Sequence, residues 1–163
     1  NQIHKVAEMG LFSGTGENVF SPDLPMTRAM FVTVLHRYAG NPEAEKADFD
    51  DIEDSWYTDA VSWAAQNGIV SGTGENKFSP DAYITRGQIA TILCRYKNGK
   101  ILDINSINSF NDSGTIPDWG KEPIAWAIEQ GLIMGRSGGN IAFNDNATRA
   151  ETAVIFTRFL NIK

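Results

Sequence analysis

Residues 10–23 read GLFSGTGENVFSPD, and residues 68–81 repeat this stretch almost unchanged as GIVSGTGENKFSPD, at an offset of 58. A third and looser copy, GLIMGRSGGNIAF, occupies residues 131–143. A Thr-Arg pair follows each copy, at residues 27–28, 85–86 and 148–149. Self-similarity at a nearly constant period is the signature of a repeat protein. The sequence therefore predicts three units built on one plan, at residues 1–40, 41–98 and 99–163.

Each unit is predicted to contain a helix, a loop and a second helix. The first helix is an apolar pattern over residues 56–67 in the second unit and 119–130 in the third. Both patterns end at a glycine, Gly68 or Gly131, which adopts the positive φ of a helix C-cap at little cost. In the first unit, the Phe-Asp and Trp positions that open the other units would precede Asn1. We therefore interpret the first repeat as N-terminally incomplete and the chain as a fragment.

The second helices are apolar around most of their circumference, with the segments FVTVL, IATIL and TAVIF at residues 31–35, 89–93 and 152–156. A helix with this pattern is buried. A unit of about sixty residues is too small to cover such a helix alone, whereas three units bury one another. We therefore expect a mainly α fold in which three helices form a central pseudo-threefold bundle, with grooves between the lobes around it.

The ends of the second helices carry clear signals. They begin after threonine N-caps, and Gln88 and Glu151 complete capping boxes, whereas Met30 at the equivalent position does not. The helices run to about residues 38, 96 and 159. A second set of arginines lies near these C-termini, where the helix dipole favours a cation, and we interpret it as structural. These residues are Arg37, Arg95 and Arg158.

An arginine also follows the N-cap threonine in every unit, and we call Arg28, Arg86 and Arg149 the box arginines. A cation at a helix N-terminus is disfavoured by about 0.3–1 kcal/mol because this end carries partial positive charge. An anionic ligand, held by the guanidinium and by free N–H groups of the helix end, would offset that cost. The alternative is an ion pair with a carboxylate just upstream, and the spacing leaves both explanations open. The upstream carboxylates are Asp23, Asp81 and Asp145.

Aromatic and glycine-rich positions are further candidates for ligand contact. Trp56 and Trp119 would offer a flat apolar face to a sugar ring, while Trp63 and Trp126 are predicted to lie in the core. The loops after the first helices would either let backbone approach a ligand or form simple turns. Their candidate positions are Ser13, Gly14, Ser71, Gly72, Met134 and Gly135.

Composition excludes several classes of function. Fourteen basic and twenty acidic residues give a net charge of −6, which argues against binding to nucleic acid or anionic lipid. No apolar run approaches the roughly 20 residues that cross a bilayer, so we expect no membrane insertion. The single cysteine, Cys94, excludes an internal disulfide and a thiolate zinc site.

We expect no catalytic residue, no metal site and no cofactor. His36, Cys94 and Thr157 occupy one column of the aligned second helices, so they are equivalent repeat positions rather than a catalytic pair. The acidic cluster at residues 48–54 does not meet EF-hand spacing, and we interpret it as a solvated helix start. The chain is therefore predicted to be a binding module and not an enzyme.

Taken together, the motifs resemble S-layer homology domains over essentially the whole chain. The matching features are Phe-Asp, Trp, a Gly-Ile-X-X-Gly loop, Phe-Ser-Pro-Asp and a Thr-Arg-Ala-Glu box. The box is retained at residues 148–151, whereas residues 27–30 and 85–88 depart from it. The resemblance implies a three-pronged spindle around a central three-helix bundle. It also implies grooves that bind a secondary cell wall polysaccharide, commonly one with pyruvylated N-acetylmannosamine.

By this resemblance the box arginines would grip the pyruvyl carboxylate, and Trp56, Trp119 and the loop positions would line the sugar. The module would anchor its parent protein non-covalently outside the cell, in the wall or S-layer of a bacterium with a Gram-positive type envelope. We expect the groove that uses Arg149 to bind best, and any groove that needs the missing start of repeat one to be weak. A protein–protein interaction module using the same grooves, and self-association through a borrowed helix, remain alternatives.

Overall fold

The computed structural model describes residues 2–13 and 19–162, and these residues form a mainly α-helical protein, as predicted. Two short 3₁₀ helices, Ile104–Ser109 and Ser113–Thr115, lie between the fourth and fifth α-helices of this described part. None of the helices described is long and apolar enough to cross a membrane. The α-helices are α1 (Gln2–Glu8), α2 (Arg28–Tyr38), α3 (Thr58–Gln66), α4 (Arg86–Lys97), α5 (Asp118–Glu129) and α6 (Arg149–Phe159).

We call α2, α4 and α6 the central helices, and their predicted N-caps are confirmed. The hydroxyl of each capping threonine accepts a hydrogen bond from the backbone N–H three residues later. In α4 and α6 the side chains of Gln88 and Glu151 accept a bond from the cap residue's own N–H, which completes the capping box. The repeat register therefore fixes where the central helices begin.

We call α1, α3 and α5 the outer helices. α3 begins two residues after its predicted start, and α5 begins one residue before its own. The glycines that follow these two helices, Gly68 and Gly131, have φ values of 67° and 65°, as their C-cap role predicts. Trp63 and Trp126 are 6% and 3% exposed, so the prediction that they belong to the core is confirmed.

Aromatic side chains join the three central helices at their C-terminal ends. The ring of Tyr38 lies 6.1 Å from that of Tyr96 and 5.7 Å from that of Phe159, and the last two are 6.0 Å apart. One ring comes from each central helix, so the three close a triangle around a pseudo-threefold axis. Phe31 and Phe156 continue the contact between α2 and α6 with centroids 6.4 Å apart.

A ring of backbone hydrogen bonds joins the repeats just before the central helices. The N–H of Met26 donates to the carbonyl of Ala147 at 3.0 Å, Ala147 donates to Ile84 at 2.9 Å, and Ile84 donates to Met26 at 2.8 Å. All three residues are 0% exposed. A buried amide hydrogen bond contributes about 1 kcal/mol, and its loss leaves an unpaired polar group. We call this closed set the backbone ring.

The outer helices also join the three repeats in a closed order. α3 packs on α2, α5 packs on α4, and α1 packs on α6. Each outer helix therefore covers the central helix of the preceding repeat, and the first repeat covers the third. Each of the three lobes is shared by two repeats, and this places loops and helices of different repeats side by side.

The acidic residue of the Phe-Asp motif holds the loop of its own repeat. The two carboxylate oxygens of Asp51 accept hydrogen bonds from the N–H groups of Phe78 at 2.8 Å and Ser79 at 2.7 Å. Asp112 makes the same pair of bonds, both at 2.8 Å, to the N–H groups of residues 141–142. The interpretation of this acidic cluster as only a solvated helix start is therefore wrong for Asp51. Its carboxylate is a loop clamp.

Replacing Asp51 by asparagine is expected to lower the free energy of unfolding by about 1.5 kcal/mol. Hydrogen bonds to an ionised acceptor contribute about 1.5–3 kcal/mol, and the amide keeps one of the two acceptor oxygens. Urea unfolding of the two proteins measures the difference. Asp54→Asn is the matched control, because Asp54 is exposed and pairs only with Lys46, at 2.8 Å, among the described residues. Equal losses of unfolding free energy in the two variants would contradict the role of Asp51 in holding the loop.

Candidate ligand-binding grooves

Three grooves lie at equivalent places between neighbouring repeats of the described chain. One repeat supplies its box arginine at the start of a central helix. The next repeat supplies the glycine-rich loop and one face of its own central helix. In two of the grooves the repeat after that supplies a tryptophan, Trp56 just before α3 or Trp119 in the first turn of α5. We name each groove after its box arginine.

The Arg28 groove has a volume of about 390 Å³ and lies between the start of α2 and the exposed face of α4. Trp119 from the third repeat borders it, with 57% of its surface exposed. Predicted site residues from all three repeats thus meet here. The lining residues are Arg28, Val70, Ser71, Gly72, Thr73, Gln88, Thr91, Ile92, Arg95 and Trp119.

The Arg149 groove has a volume of about 430 Å³ and lies between α6 and α2. Trp56 from the second repeat borders it and is 61% exposed. The predicted position Ser13 lines this groove, whereas Gly14 lies outside the described residues. The lining residues are Phe12, Ser13, Met26, Met30, Thr33, Val34, Arg37, Trp56 and Arg149.

The Arg86 groove has a volume of about 340 Å³ and lies between α4 and α6. It differs from the other two, because its described lining holds no tryptophan and includes an ion pair between Arg136 and Glu151. The predicted positions Met134 and Gly135 line it. The lining residues are Arg86, Leu132, Ile133, Met134, Gly135, Arg136, Ala150, Glu151, Val154, Ile155 and Arg158.

The box arginines lie at the bottom of the grooves, each 5% exposed. The guanidinium groups of Arg28 and Arg149 also lie 4.7 Å and 4.8 Å from the centres of phenylalanine rings. Each Nε–H donates to a backbone carbonyl of the next repeat around the ring. The three acceptors are Phe78 at 2.9 Å, Ile141 at 3.0 Å and Phe20 at 2.8 Å.

The terminal guanidinium nitrogens are used unequally. Nη2 of Arg86 donates to the carbonyl of Met134 at 2.8 Å, and Nη2 of Arg149 donates to that of Ser13 at 2.6 Å. Both Nη groups of Arg28 are without a hydrogen-bond partner among the described residues. Within this part of the chain, none of the box arginines forms an ion pair with the upstream aspartates, and Asp145 pairs with Arg136 instead.

The expectation that free helix-end N–H groups would bind the anion is wrong. The first two N–H groups of every central helix donate to carbonyls of the next repeat, at 2.9–3.0 Å. The interlocking of the repeats thus satisfies the helix ends that would otherwise attract an anion. An anion that enters a groove meets the guanidinium rather than the helix end.

Burial has a clear electrostatic effect on these arginines. It lowers the pKa of Arg28 to about 10, against the opposing effect of the Asp51 charge. Burial likewise lowers the pKa of Arg86 and of Arg149. All three remain cations at neutral pH. Among the described residues, Arg28 and Arg149 donate only to neutral carbonyls, so these buried cations have lost hydration that an incoming anion would offset. Arg86 differs, because the Glu151 carboxylate lies 3.7 Å from its Nη1.

Close packing of the loop backbone explains why residues 72 and 135 are glycines. Gly72 has a φ of 84°, and a Cβ there would lie 2.6 Å from the carbonyl oxygen of Lys77 and 3.0 Å from the ring of Phe49. A Cβ on Gly135 would lie 2.7 Å from the ring of Phe110. The phenylalanine of the Phe-Asp motif therefore packs directly on the loop backbone. This geometry supports the turn interpretation of these glycines.

The later arginines also border the grooves, which the sequence interpretation missed. Arg37 donates to the carbonyl of Leu11 at 3.1 Å and to Oγ of Ser13 at 2.9 Å, and Arg158 donates to the carbonyl of Leu132 at 3.1 Å. They are structural, as predicted, and they add a positive charge to each groove. Each of these arginines lies seven residues after the third residue of its helix (residue 30, 88 or 151) and therefore on the same helix face. This spacing is the sequence signal that would have placed them beside the grooves.

The histidine and cysteine of the central helices have separate structural contacts. Nε2 of His36 lies 2.9 Å from the carbonyl oxygen of Pro42, and Sγ of Cys94 donates to the carbonyl of Gly99 at 3.7 Å. Burial raises the pKa of the Cys94 thiol, which keeps it protonated and poorly nucleophilic. In the described ranges 2–13 and 19–162, no cluster of His, Cys, Asp and Glu is arranged to hold a metal.

Comparison with known families agrees with this architecture. The S-layer homology domain family matches residues 1–30, 48–90 and 109–153, which is more than half of the chain and one segment in each repeat. The chain belongs to the S-layer homology domain family.

The chain is similar to part of several larger proteins. It is 30% identical to the Surface-layer 125 kDa protein of Lysinibacillus sphaericus, covering 96% of the chain and 13% of that protein. It is 32% identical to Exoglucanase XynX of Acetivibrio thermocellus, covering 94% of the chain and 14% of the enzyme. It is 28% identical to an S-layer protein of Bacillus thuringiensis subsp. finitimus, covering 94% of the chain and 19% of that protein.

The chain thus spans less than a fifth of the length of these relatives. The same module occurs in proteins named for the surface layer and in a protein named as an enzyme. Cell-wall anchoring is the function that this family membership implies.

Proposed function

We propose that the chain is a non-covalent anchoring module that binds an anionic, pyruvylated secondary cell wall polysaccharide in its inter-repeat grooves. Its place would be outside the cell, in the wall and S-layer of a Gram-positive bacterium. The observation that carries the proposal is the joint presence of buried cations and an exposed tryptophan in the Arg28 and Arg149 grooves.

Charge supports an acidic ligand. The lining of the Arg28 groove contains two arginines, Arg28 and Arg95, and that of the Arg149 groove contains Arg149 and Arg37. Neither described lining contains a carboxylate. The chain as a whole has a net charge of −6, so these grooves are local positive sites on an acidic protein. A carboxylate substituent on a glycan matches the guanidinium fork.

The tryptophans support a sugar. Trp56 and Trp119 are 61% and 57% exposed, although burying an indole is favourable. Each packs edge-on against a neighbouring ring, Tyr57 at 5.2 Å and Phe143 at 5.4 Å, which fixes its position beside the groove. A fixed, exposed aromatic face beside a cation suits a pyranose ring that carries an acid group.

A sedimentation assay with purified wall glycan, stripped of all protein, tests the proposal. The chain should sediment with the native glycan, and removal of the pyruvyl ketals by mild acid should weaken binding by about tenfold or more, the loss of a charge-assisted pair. Binding to protein-containing wall preparations but not to stripped glycan would instead identify a protein–protein module. Release of sugar fragments during the assay would contradict a purely binding role.

A further inference from the structure

We propose that the Arg86 groove is closed to anions by an internal ion pair between Arg136 and Glu151, so that Glu151 limits this chain to two anion-accepting grooves. The choice of an anionic glycan as ligand rests on the function proposed above. The ion pair itself is independent of that function. Three observations lead to this inference.

The first observation is the residue at the N3 position of the helix that faces each groove. This position is Met30 in the Arg149 groove, Gln88 in the Arg28 groove and Glu151 in the Arg86 groove. Glu151 alone among these three brings a negative charge. The repeat therefore places a carboxylate in one groove at a position that is neutral in the other two.

The second observation is the use of the Glu151 carboxylate. One oxygen, Oε2, accepts the cap hydrogen bond from the N–H of Thr148 at 3.0 Å. The other, Oε1, lies 2.7 Å from Nη2 of Arg136 and 3.7 Å from Nη1 of Arg86. It therefore occupies the place beside the box arginine that a ligand carboxylate would need. A second carboxylate brought there would be repelled by Glu151.

The third observation is Arg136 itself, which aligns with Thr73 of the second repeat. Its guanidinium also pairs with Asp145, so it links the loop of the third repeat to the start of α6. The side chains of Arg136 and Glu151 are 34% and 30% exposed, so the pair is partly shielded from water and salt. The ion pair thus spans the groove.

The protonation state of Glu151 agrees with this geometry. Burial raises the pKa of its carboxyl group. The N–H of Thr148, the bond from Arg136 and the charges of Arg136 and Arg86 outweigh burial and leave this pKa below its ordinary value. Glu151 is therefore ionised at neutral pH, and its charge balances the cations that would attract a ligand.

The test is a ¹⁵N-HSQC titration of the full chain with the methyl glycoside of pyruvylated N-acetylmannosamine. The wild-type chain is compared with Glu151→Gln and Arg136→Thr. Both replacements have a precedent in this fold, because Gln88 makes the same capping box in α4 and Thr73 occupies the position of Arg136. The glutamine would keep the bond to Thr148 and turn an NH₂ donor toward the groove. Glu45→Gln removes the same charge from an exposed site and is the control.

In the wild type and in Glu45→Gln, the amide signals of residues 135–136 should not move. In Glu151→Gln they should move and saturate, with affinity at this groove raised by about tenfold or more. In Arg136→Thr they should stay unmoved, because the Glu151 carboxylate remains beside Arg86 and still repels an anion. Movement of these signals in the wild type, or their silence in the folded Glu151→Gln variant, would overturn the inference. The amide signals of residues 71–72 report the Arg28 groove separately. Their silence in the wild type would count against the proposed function and not against the ion pair.

Discussion

Replacing both Trp56 and Trp119 by alanine is expected to weaken binding to the wall polymer by about 100-fold. Each substitution removes the exposed aromatic face of one groove, which we expect to cost about tenfold in that groove. A polymer that engages both grooves gains avidity from their linkage, so the two losses multiply. Surface plasmon resonance on immobilised native glycan measures the change.

The single variants separate the two grooves. With a monovalent pyruvylated fragment, calorimetry should show one site weakened and one site unchanged in either Trp56→Ala or Trp119→Ala. Leu102→Ala is the control, because Leu102 is 91% exposed and lies outside the grooves. Both tryptophans are mostly exposed, so thermal stability should stay close to that of the wild type. Wild-type affinity for polymer in the double variant would contradict the groove assignment.

Replacing Gly120 by alanine is expected to lower the free energy of unfolding by about 3 kcal/mol, because it overfills the core. A Cβ on Gly120 would lie 2.2 Å from the ring of Phe143, which is 1% exposed. The ring has no room to move away, since a Cβ on Gly87 would lie 2.4 Å from the same ring. Phe143 is wedged between two glycines of different helices. Thermal unfolding should show a midpoint lower by about 8 °C.

A double-mutant cycle identifies the cause. Phe143→Leu shortens the ring side chain, so Gly120→Ala should cost at least about 1 kcal/mol less in that background than in the wild type. Gly114→Ala is the matched control, because a Cβ there would meet nothing within 4 Å, and it should leave stability unchanged. Equal losses of unfolding free energy in Gly120→Ala and Gly114→Ala would contradict the explanation that the Phe143 ring leaves no room for a Cβ at residue 120.

The parts of the fold that depend on local chemistry could be predicted from the sequence. Threonine caps, capping-box residues and C-cap glycines each act within a few residues of their own position. For this reason Gln88, Glu151 and Gly68 have the roles that their spacing predicts. The central bundle could be predicted too, because an all-round apolar helix needs cover from every side.

The order in which the repeats interlock could not be predicted, and it changed the candidate site. Each central helix donates its first N–H groups to another repeat, a contact between residues far apart in the chain. Neither repeat period nor helix periodicity encodes such a pairing. The same interlocking places a tryptophan of one repeat beside an arginine of another, as Trp119 and Arg28 show. Arg136 was missed because its partner, Glu151, was already explained by the capping box.

The backbone ring also determines whether a single repeat can be added to the protein or removed from it. In an open solenoid a repeat can be added or removed at an end, because each repeat contacts only its neighbours. Here Met26, Ile84 and Ala147 each bond to both other repeats, so the circle has no end. Deleting any one repeat would orphan a buried donor and a buried acceptor in the remaining two. The three repeats therefore form one indivisible cooperative unit. The adhesive grooves between them form together on folding and are lost together on unfolding.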